Sequence, residues 1–176
     1  MTKALFLDRD GVINHDEGYT HKWSTKLIIT GIIDLVRKFN ARGYYVCVIT
    51  NQSGIGRGYF RERDFHHFMT SMIKHFNARG ASIGSYYFCG CNPLEKNCIN
   101  RKPNPGLLFQ ASKEIGIDLT KSIFIGDKWS DMLAAERANI EEKFLYSPIG
   151  NHECTDNCKV NYKLIKSFSE IHKLSK

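Results

Sequence analysis

The 176-residue chain (20.2 kDa) is 42% hydrophobic and 24% charged, which excludes disordered, collagen-like and coiled-coil architectures and suits one domain over residues 1–176. Its 25 lysines and arginines against 18 aspartates and glutamates, with a pI near 9.1, fit an anionic partner without choosing among phosphorylated small molecules, nucleic acid and a membrane surface. No apolar run approaches the ~18 residues of a membrane span, and the apolar start at 4–7 runs into Asp8-Arg9-Asp10 instead of forming a signal-peptide core, so a cytoplasmic protein without a membrane partner is expected.

In chain order, residues 3–8 form a short apolar run ending on an aspartate, the pattern of a buried strand closing in a turn. A helix is expected over 32–41, a strand over 44–50, and then the most regular helix over 62–77. There Phe65, Phe68, Met69, Met72, Ile73 and Phe76 fall at steps of 3, 1, 3, 1 and 3, one apolar stripe at a period of 3.6 that belongs to the core. A strand over 85–88 leads into a cysteine-containing loop at 89–102. A helix over 106–115, a strand over 122–127, a helix over 130–138 and a strand over 143–146 follow. The tail, 159–176, holds five lysines against one glutamate and reads as a solvated basic strand and helix, with a nucleic-acid or lipid patch as the alternative. This alternation predicts an α/β fold: a doubly wound, Rossmann-like parallel sheet with helices on both faces and, at this length, no large cap domain.

In such sheets ligands bind beyond the carboxyl ends of the strands, and the polar residues of this chain collect there. Asp8 and Asp10 follow the first strand, Thr50-Asn51-Gln52-Ser53 the second, Asp127 the fourth, and Arg101-Lys102 lie in the loop after the third. A period of 2 sends Asp8 and Asp10 to one side and Arg9 to the other. Two carboxylates that close require opposing charge, and with Asp127 they make the oxygen-rich site that Mg²⁺ prefers. Alone, Asp8-Arg9-Asp10-Gly11 is equally a strand-end turn with a helix cap, and Lys102 equally a surface lysine. Pro103 and Pro105 stiffen the loop that presents Lys102. Thr50-Asn51-Gln52-Ser53-Gly54 supplies a hydroxyl, two side-chain amides and glycine-permitted N–H groups, the makings of a phosphate nest.

Asp8-Arg9-Asp10-Gly11-Val12, Thr50-Asn51-Gln52-Ser53-Gly54, Arg101-Lys102-Pro103 and Gly126-Asp127-Lys128 resemble, in order, the four motifs of the haloacid dehalogenase superfamily of phosphatases. More narrowly they are similar to the heptose-bisphosphate 7-phosphatase and histidinol-phosphatase family. The similarity runs over about 3–147 and takes in Asp16-Glu17-Gly18-Tyr19, Ile55-Gly56-Arg57-Gly58 and Asp131-Met132. The resemblance implies that Asp8 attacks phosphorus to give an aspartyl-phosphate and that Asp10 serves as general acid and then base. A carboxylate meeting a phosphate dianion at ~3.5 Å costs roughly 9 kcal/mol at an effective dielectric near 20. It implies that Lys102 and a Mg²⁺ held by Asp8, Asp127 and the Asp10 backbone offset that cost, while Thr50 holds a phosphoryl oxygen. Substrate contacts would come from Asp16, Gly18, Tyr19, Asn51, Gln52, Ser53, Arg101 and Lys128. Glu17 stands where the family has histidine, and Asp131 is either an outer partner of the metal or a helix-start acid. The expected partner is a small sugar bisphosphate rather than nucleic acid, acted on by a monomer. Histidinol phosphate or another small phosphomonoester is the alternative substrate, and a nucleic-acid-end phosphatase or binding module is the alternative class.

Six cysteines (47, 89, 91, 98, 154 and 158) in a reducing compartment point to metal binding or inert thiols ahead of disulfides. The resemblance implies a structural Zn²⁺ at Cys89, Cys91 and Cys98, but Cys91 replaces a histidine and Asn100 replaces the last cysteine. Neutral asparagine is a poor zinc ligand, so zinc and a metal-free loop both stay open, with His152, Cys154 or Cys158 as possible fourth donors. Cys47 lies within an apolar strand and is packing.

Overall fold

The computed structural model describes residues 1–150 and 160–171. Six parallel strands lie in the order β3-β2-β1-β4-β5-β6: β1 Ala4–Leu7, β2 Tyr45–Asn51, β3 Ser85–Cys89, β4 Ile123–Gly126, β5 Glu142–Tyr146 and β6 Lys163–Ile165. The helices are α1 Ile32–Ala41, α2 Ser53–Gly56, α3 Glu62–Asn77, α4 Gly106–Ile115 and α5 Trp129–Arg137.

Alternation along the strands builds two cores. Leu5, Leu7, Val46, Val48, Ile123 and Ile125 face the apolar stripes of α1 and α3, including Leu35, Phe39, Phe65, Phe68 and Phe76. Ala4, Phe6, Cys47, Ile49 and Phe124 face Leu107, Leu108 and Ala111 of α4 and Met132 and Ala135 of α5. The helices therefore cover both sheet faces, and β1 and β4 are buried throughout. Of the strand and helix expected over 159–176, the described residues hold β6 and a short 3₁₀ turn at Phe168–Glu170, and residues 159 and 172–176 lie outside them. His152, Cys154 and Cys158 lie outside the described residues.

The chain walks outward from β1 through β2 to β3 and then returns to place β4 on the other side of β1. The connections thus diverge between β1 and β4, which opens a crevice above their carboxyl ends. Asp8 and Asp127 are the residues immediately after those two strands.

Candidate active site

The ladder of the sheet continues into Asp8, whose N–H donates to the Ile125 carbonyl of β4 at 3.0 Å. The chain then turns sharply: Ile13 N and Asn14 N donate to the Arg9 carbonyl (2.8 and 3.1 Å) and Gly11 N donates to the Asn14 carbonyl (2.7 Å). Gly11 makes this possible at φ 83°, and a Cβ there would overlap the Asp127 carboxyl group. One glycine thus serves both the turn and the close approach of the two acidic strand ends.

Lys102 stands at the centre of charge. Its buried ammonium lies 3.0 Å from Asp8 Oδ1 and 2.7 Å from Asp131 Oδ1, and donates to the Ile49 carbonyl at 2.9 Å. Three acceptors match the three donors of an ammonium. Burial opposes its charge, but Asp131 and Asp8 more than offset that and raise its pKa. The Asn51 amide fixes the lysine's backbone from both sides, accepting from Lys102 N at 3.0 Å and donating to Lys102 O at 3.1 Å. Asp131 is itself fully buried, and its Oδ2 accepts from Asp127 N and Lys128 N (3.2 and 3.0 Å) where α5 begins.

Asp8, Asp127 and Asp131 each place a carboxylate oxygen within 4.8 Å of the others. Burial and then the Asp8 charge push Asp127 up to about 8, and burial also raises Asp8. Asp127 Oδ1 is buried with no hydrogen-bond partner. Three acids around one orphaned carboxylate oxygen are an oxygen donor set that fits a hard divalent cation, and the single Lys102 charge leaves their excess negative charge for it to balance. Both Asp131 oxygens are engaged, by Lys102 and by the Asp127 and Lys128 amides just ahead of α5, which leaves Asp8 and Asp127 as the side chains best free to ligate.

Asp10 faces the same cavity but belongs to a different network. Its carboxylate accepts from Arg9 Nε (3.1 Å), from Arg9 Nη2 at 2.7 Å to each oxygen, and from the Asn14 and Gln52 amides at 2.9 Å. Arg9 is fully buried, with its guanidinium 4.6 Å from the centre of the Phe68 ring. As alternation leads one to expect, Arg9 is not among the residues lining the cavity; beyond the end of β1 its side chain folds back onto Asp10. Neither this fork nor the buried Asn14 has a periodic signal in the sequence.

Thr50, Asn51, Gln52, Ser53 and Gly54 line one wall of a cavity of about 510 Å³, with Asp8 and Asp10 among its lining residues. Asp16, Gly18, Tyr19, Arg101 and Lys128 also line it. Gln52 Nε2 donates to both Thr50 Oγ1 and Asp10 Oδ2 at 2.9 Å, coupling the hydroxyl to the carboxylate. Lys128 Nζ reaches Asp16 Oδ2 at 3.3 Å. Burial lowers the Lys128 pKa, but Asp127, Asp8 and Asp16 outweigh it and raise the value overall.

The cysteine loop differs from expectation. Cys91 and Cys98 form a disulfide, because the loop folds back to bring their Cα atoms within 6.7 Å. Cys89 Sγ lies 3.2 Å from Cys98 Sγ, so the three sulfurs do converge. In this disulfide form Cys91 and Cys98 are not thiolate ligands, and a structural zinc is not supported. Burial raises Cys47, as a packed thiol requires, to about 12.

A 3-2-1-4-5-6 parallel sheet with two aspartates after β1, a threonine at the end of β2, a lysine in the loop before α4 and an aspartate after β4 defines a phosphatase of the haloacid dehalogenase class. Comparison with known proteins agrees. A family model described as polynucleotide kinase 3 phosphatase matches residues 4–163. D-glycero-beta-D-manno-heptose-1,7-bisphosphate 7-phosphatase of Pasteurella multocida is 38% identical over all of this chain and 98% of its own. D-glycero-alpha-D-manno-heptose-1,7-bisphosphate 7-phosphatase of Campylobacter jejuni is 46% identical, covering 79% of each chain. The crystal structure of D,D-heptose 1,7-bisphosphate phosphatase from B. bronchiseptica, complexed with magnesium and phosphate, superposes with a TM-score of 0.85 at 24% identity, over 98% of this chain and 97% of that one. The chain belongs to the heptose-bisphosphate 7-phosphatase family within that superfamily.

Proposed function

We propose that this protein hydrolyses the 7-phosphate of a D-glycero-D-manno-heptose 1,7-bisphosphate through an aspartyl-phosphate on Asp8. The observation that carries the reading is the buried Asp8 carboxylate, fixed by Lys102 in the lining of a cavity shared with the neighbouring carboxylate in the chain, Asp10, which is held by three other side chains. The names of the relatives supply the sugar, and because they include both anomers the proposal does not specify one.

Asp8 forms a bond to phosphorus as the bond from phosphorus to the sugar oxygen breaks, and Asp10 delivers a proton to that departing oxygen. Water then attacks the same phosphorus and gives its proton to the Asp10 carboxylate, releasing inorganic phosphate and restoring the Asp8 carboxylate and the protonated Asp10. The cavity geometry supports the division of roles. Asp8 is tied to the ammonium that disperses phosphoryl charge, whereas Asp10 is tied through Gln52 to Thr50, beside the place an oxygen of the substrate would occupy. Asp8 and Asp127, with the Asp10 backbone, would hold Mg²⁺, which supplies charge neutralisation at the phosphoryl oxygens when bound. Lys102 contributes a fixed positive charge to the same end, and Asp131 keeps Lys102 and the Asp127 backbone in place. Asp16, Gly18, Tyr19, Ser53, Arg101 and Lys128 surround the remainder of the cavity, where the sugar and its second phosphate would lie.

Phosphate release in Mg²⁺ is measured over heptose bisphosphate, hexose phosphates, histidinol phosphate and a 3′-phosphorylated oligonucleotide. The expected order places the heptose bisphosphate first. Preferential turnover of the oligonucleotide, with a steep salt dependence, would instead favour the chemistry for which the family model is named.

A further inference from the structure

The loop that carries Asp16, Gly18 and Tyr19 over the cavity is docked on a second loop by two ring contacts. Tyr19 meets Tyr59 edge-on with ring centres 4.6 Å apart, and His21 stacks on Phe60 at 5.0 Å with only 11° between the planes. Tyr59 and Phe60 are consecutive and point in opposite senses: Tyr59 is 57% exposed and Phe60 is buried. Phe60 lies where a Cβ on Gly54 would stand, so the second loop is seated against the turn that lines the cavity beside Ser53. Tyr19 holds a left-handed backbone at φ 52°, a conformation a tyrosine keeps only when its surroundings enforce it.

From these contacts we infer that Tyr59 is a specificity-determining positioning residue: its ring holds Tyr19 at the cavity rim, in the orientation that packs against the sugar of the substrate. Tyr59 itself does not line the cavity, whereas Tyr19 does. Tyrosine suits such a rim, because its ring offers a flat apolar face to sugar C–H groups at a small cost in side-chain freedom. Tyr59 meets Tyr19 through its ring, so phenylalanine meets the same need. The inference rests on the sugar-phosphatase reading given above.

The test compares wild type, Tyr59→Ala and Tyr59→Phe on heptose bisphosphate and on acetyl phosphate, whose leaving group is too small to reach the rim. Tyr59→Ala is expected to raise KM for the heptose bisphosphate ~3- to 10-fold, the range that corresponds to one aromatic pair. Its kcat and its turnover of acetyl phosphate should stay within about twofold, and Tyr59→Phe should restore KM. An unchanged KM in Tyr59→Ala, an equal loss on both substrates, or no rescue by phenylalanine would each overturn the inference. Wild-type protein that turns over acetyl phosphate but no sugar phosphate refutes the sugar reading itself, a result distinguishable from any of these.

Discussion

Asp131 shows how much one buried carboxylate can organise. It neutralises Lys102, caps the start of α5 and fixes the backbone of Asp127, yet needs no contact with substrate to do so. Replacing it with alanine leaves the Lys102 ammonium buried with one anionic partner removed, a change that typically costs ~3–5 kcal/mol. Asp131→Ala should therefore lower the denaturation midpoint and reduce kcat at least ~100-fold, whereas Asp131→Asn, which removes the same charge but can still accept from the Asp127 and Lys128 amides, should recover only part of the stability and none of the activity. Chemical denaturation alongside phosphate release checks both. The sequence placed Asp131 at a helix start and allowed it a role near the metal, and the structure joins the two because the α5 terminus and the lysine share one side chain. Arg9 was harder to read. Alternation gives the direction of a side chain only while the strand lasts, and the Arg9 fork onto Asp10 forms two residues beyond its end.

At the scale of elements, α3 has two duties. Phe65, Phe68, Met69, Met72 and Phe76 fill the core under the sheet, and Phe68 is also the platform beneath the Arg9 guanidinium. Phe68→Ala is expected to destabilise the fold by ~3–5 kcal/mol, the range for emptying a buried aromatic site. Because the fork holding Asp10 loses its support, kcat should fall even at temperatures where the variant remains folded; circular dichroism and kinetics on the same sample separate the two effects. This helix was legible residue by residue, as were α1 and α4, since each presents an apolar stripe long enough to establish its period. Strands β1 to β5 were legible to within one residue at each end because each is a short β-rich run closed by a turn, whereas β6 was foreseen only as a strand somewhere in 159–176. The four-residue α2 was not, for it is shorter than any helical period that could reveal it. The disulfide also escaped, since spacing alone says nothing about how the 89–102 loop folds back.

For the whole molecule, topology does what local sequence cannot. Asp8, Lys102 and Asp127 are separated by 94 and 25 positions (102 − 8 and 127 − 102), yet the placement of β4 beside β1 and the Asn51 clasp on Lys102 bring them around one cavity. The motifs made that convergence an expectation; the direction of the chain reversal between β3 and β4 makes it geometry. None of the described helices is long and apolar enough to cross a membrane, and the positively charged balance of the chain is consistent with drawing in an anionic substrate. The chemistry assigned to this centre is tested most directly by mixing the enzyme with Mg²⁺ and 7-phosphate-labelled heptose bisphosphate, quenching in acid within the first turnover, and mapping protein-bound phosphate by mass spectrometry. Label on Asp8 in wild type, and neither label nor phosphate release in a folded Asp8→Asn variant, is the expected result. Label on another residue, or wild-type phosphate release by Asp8→Asn, would contradict it.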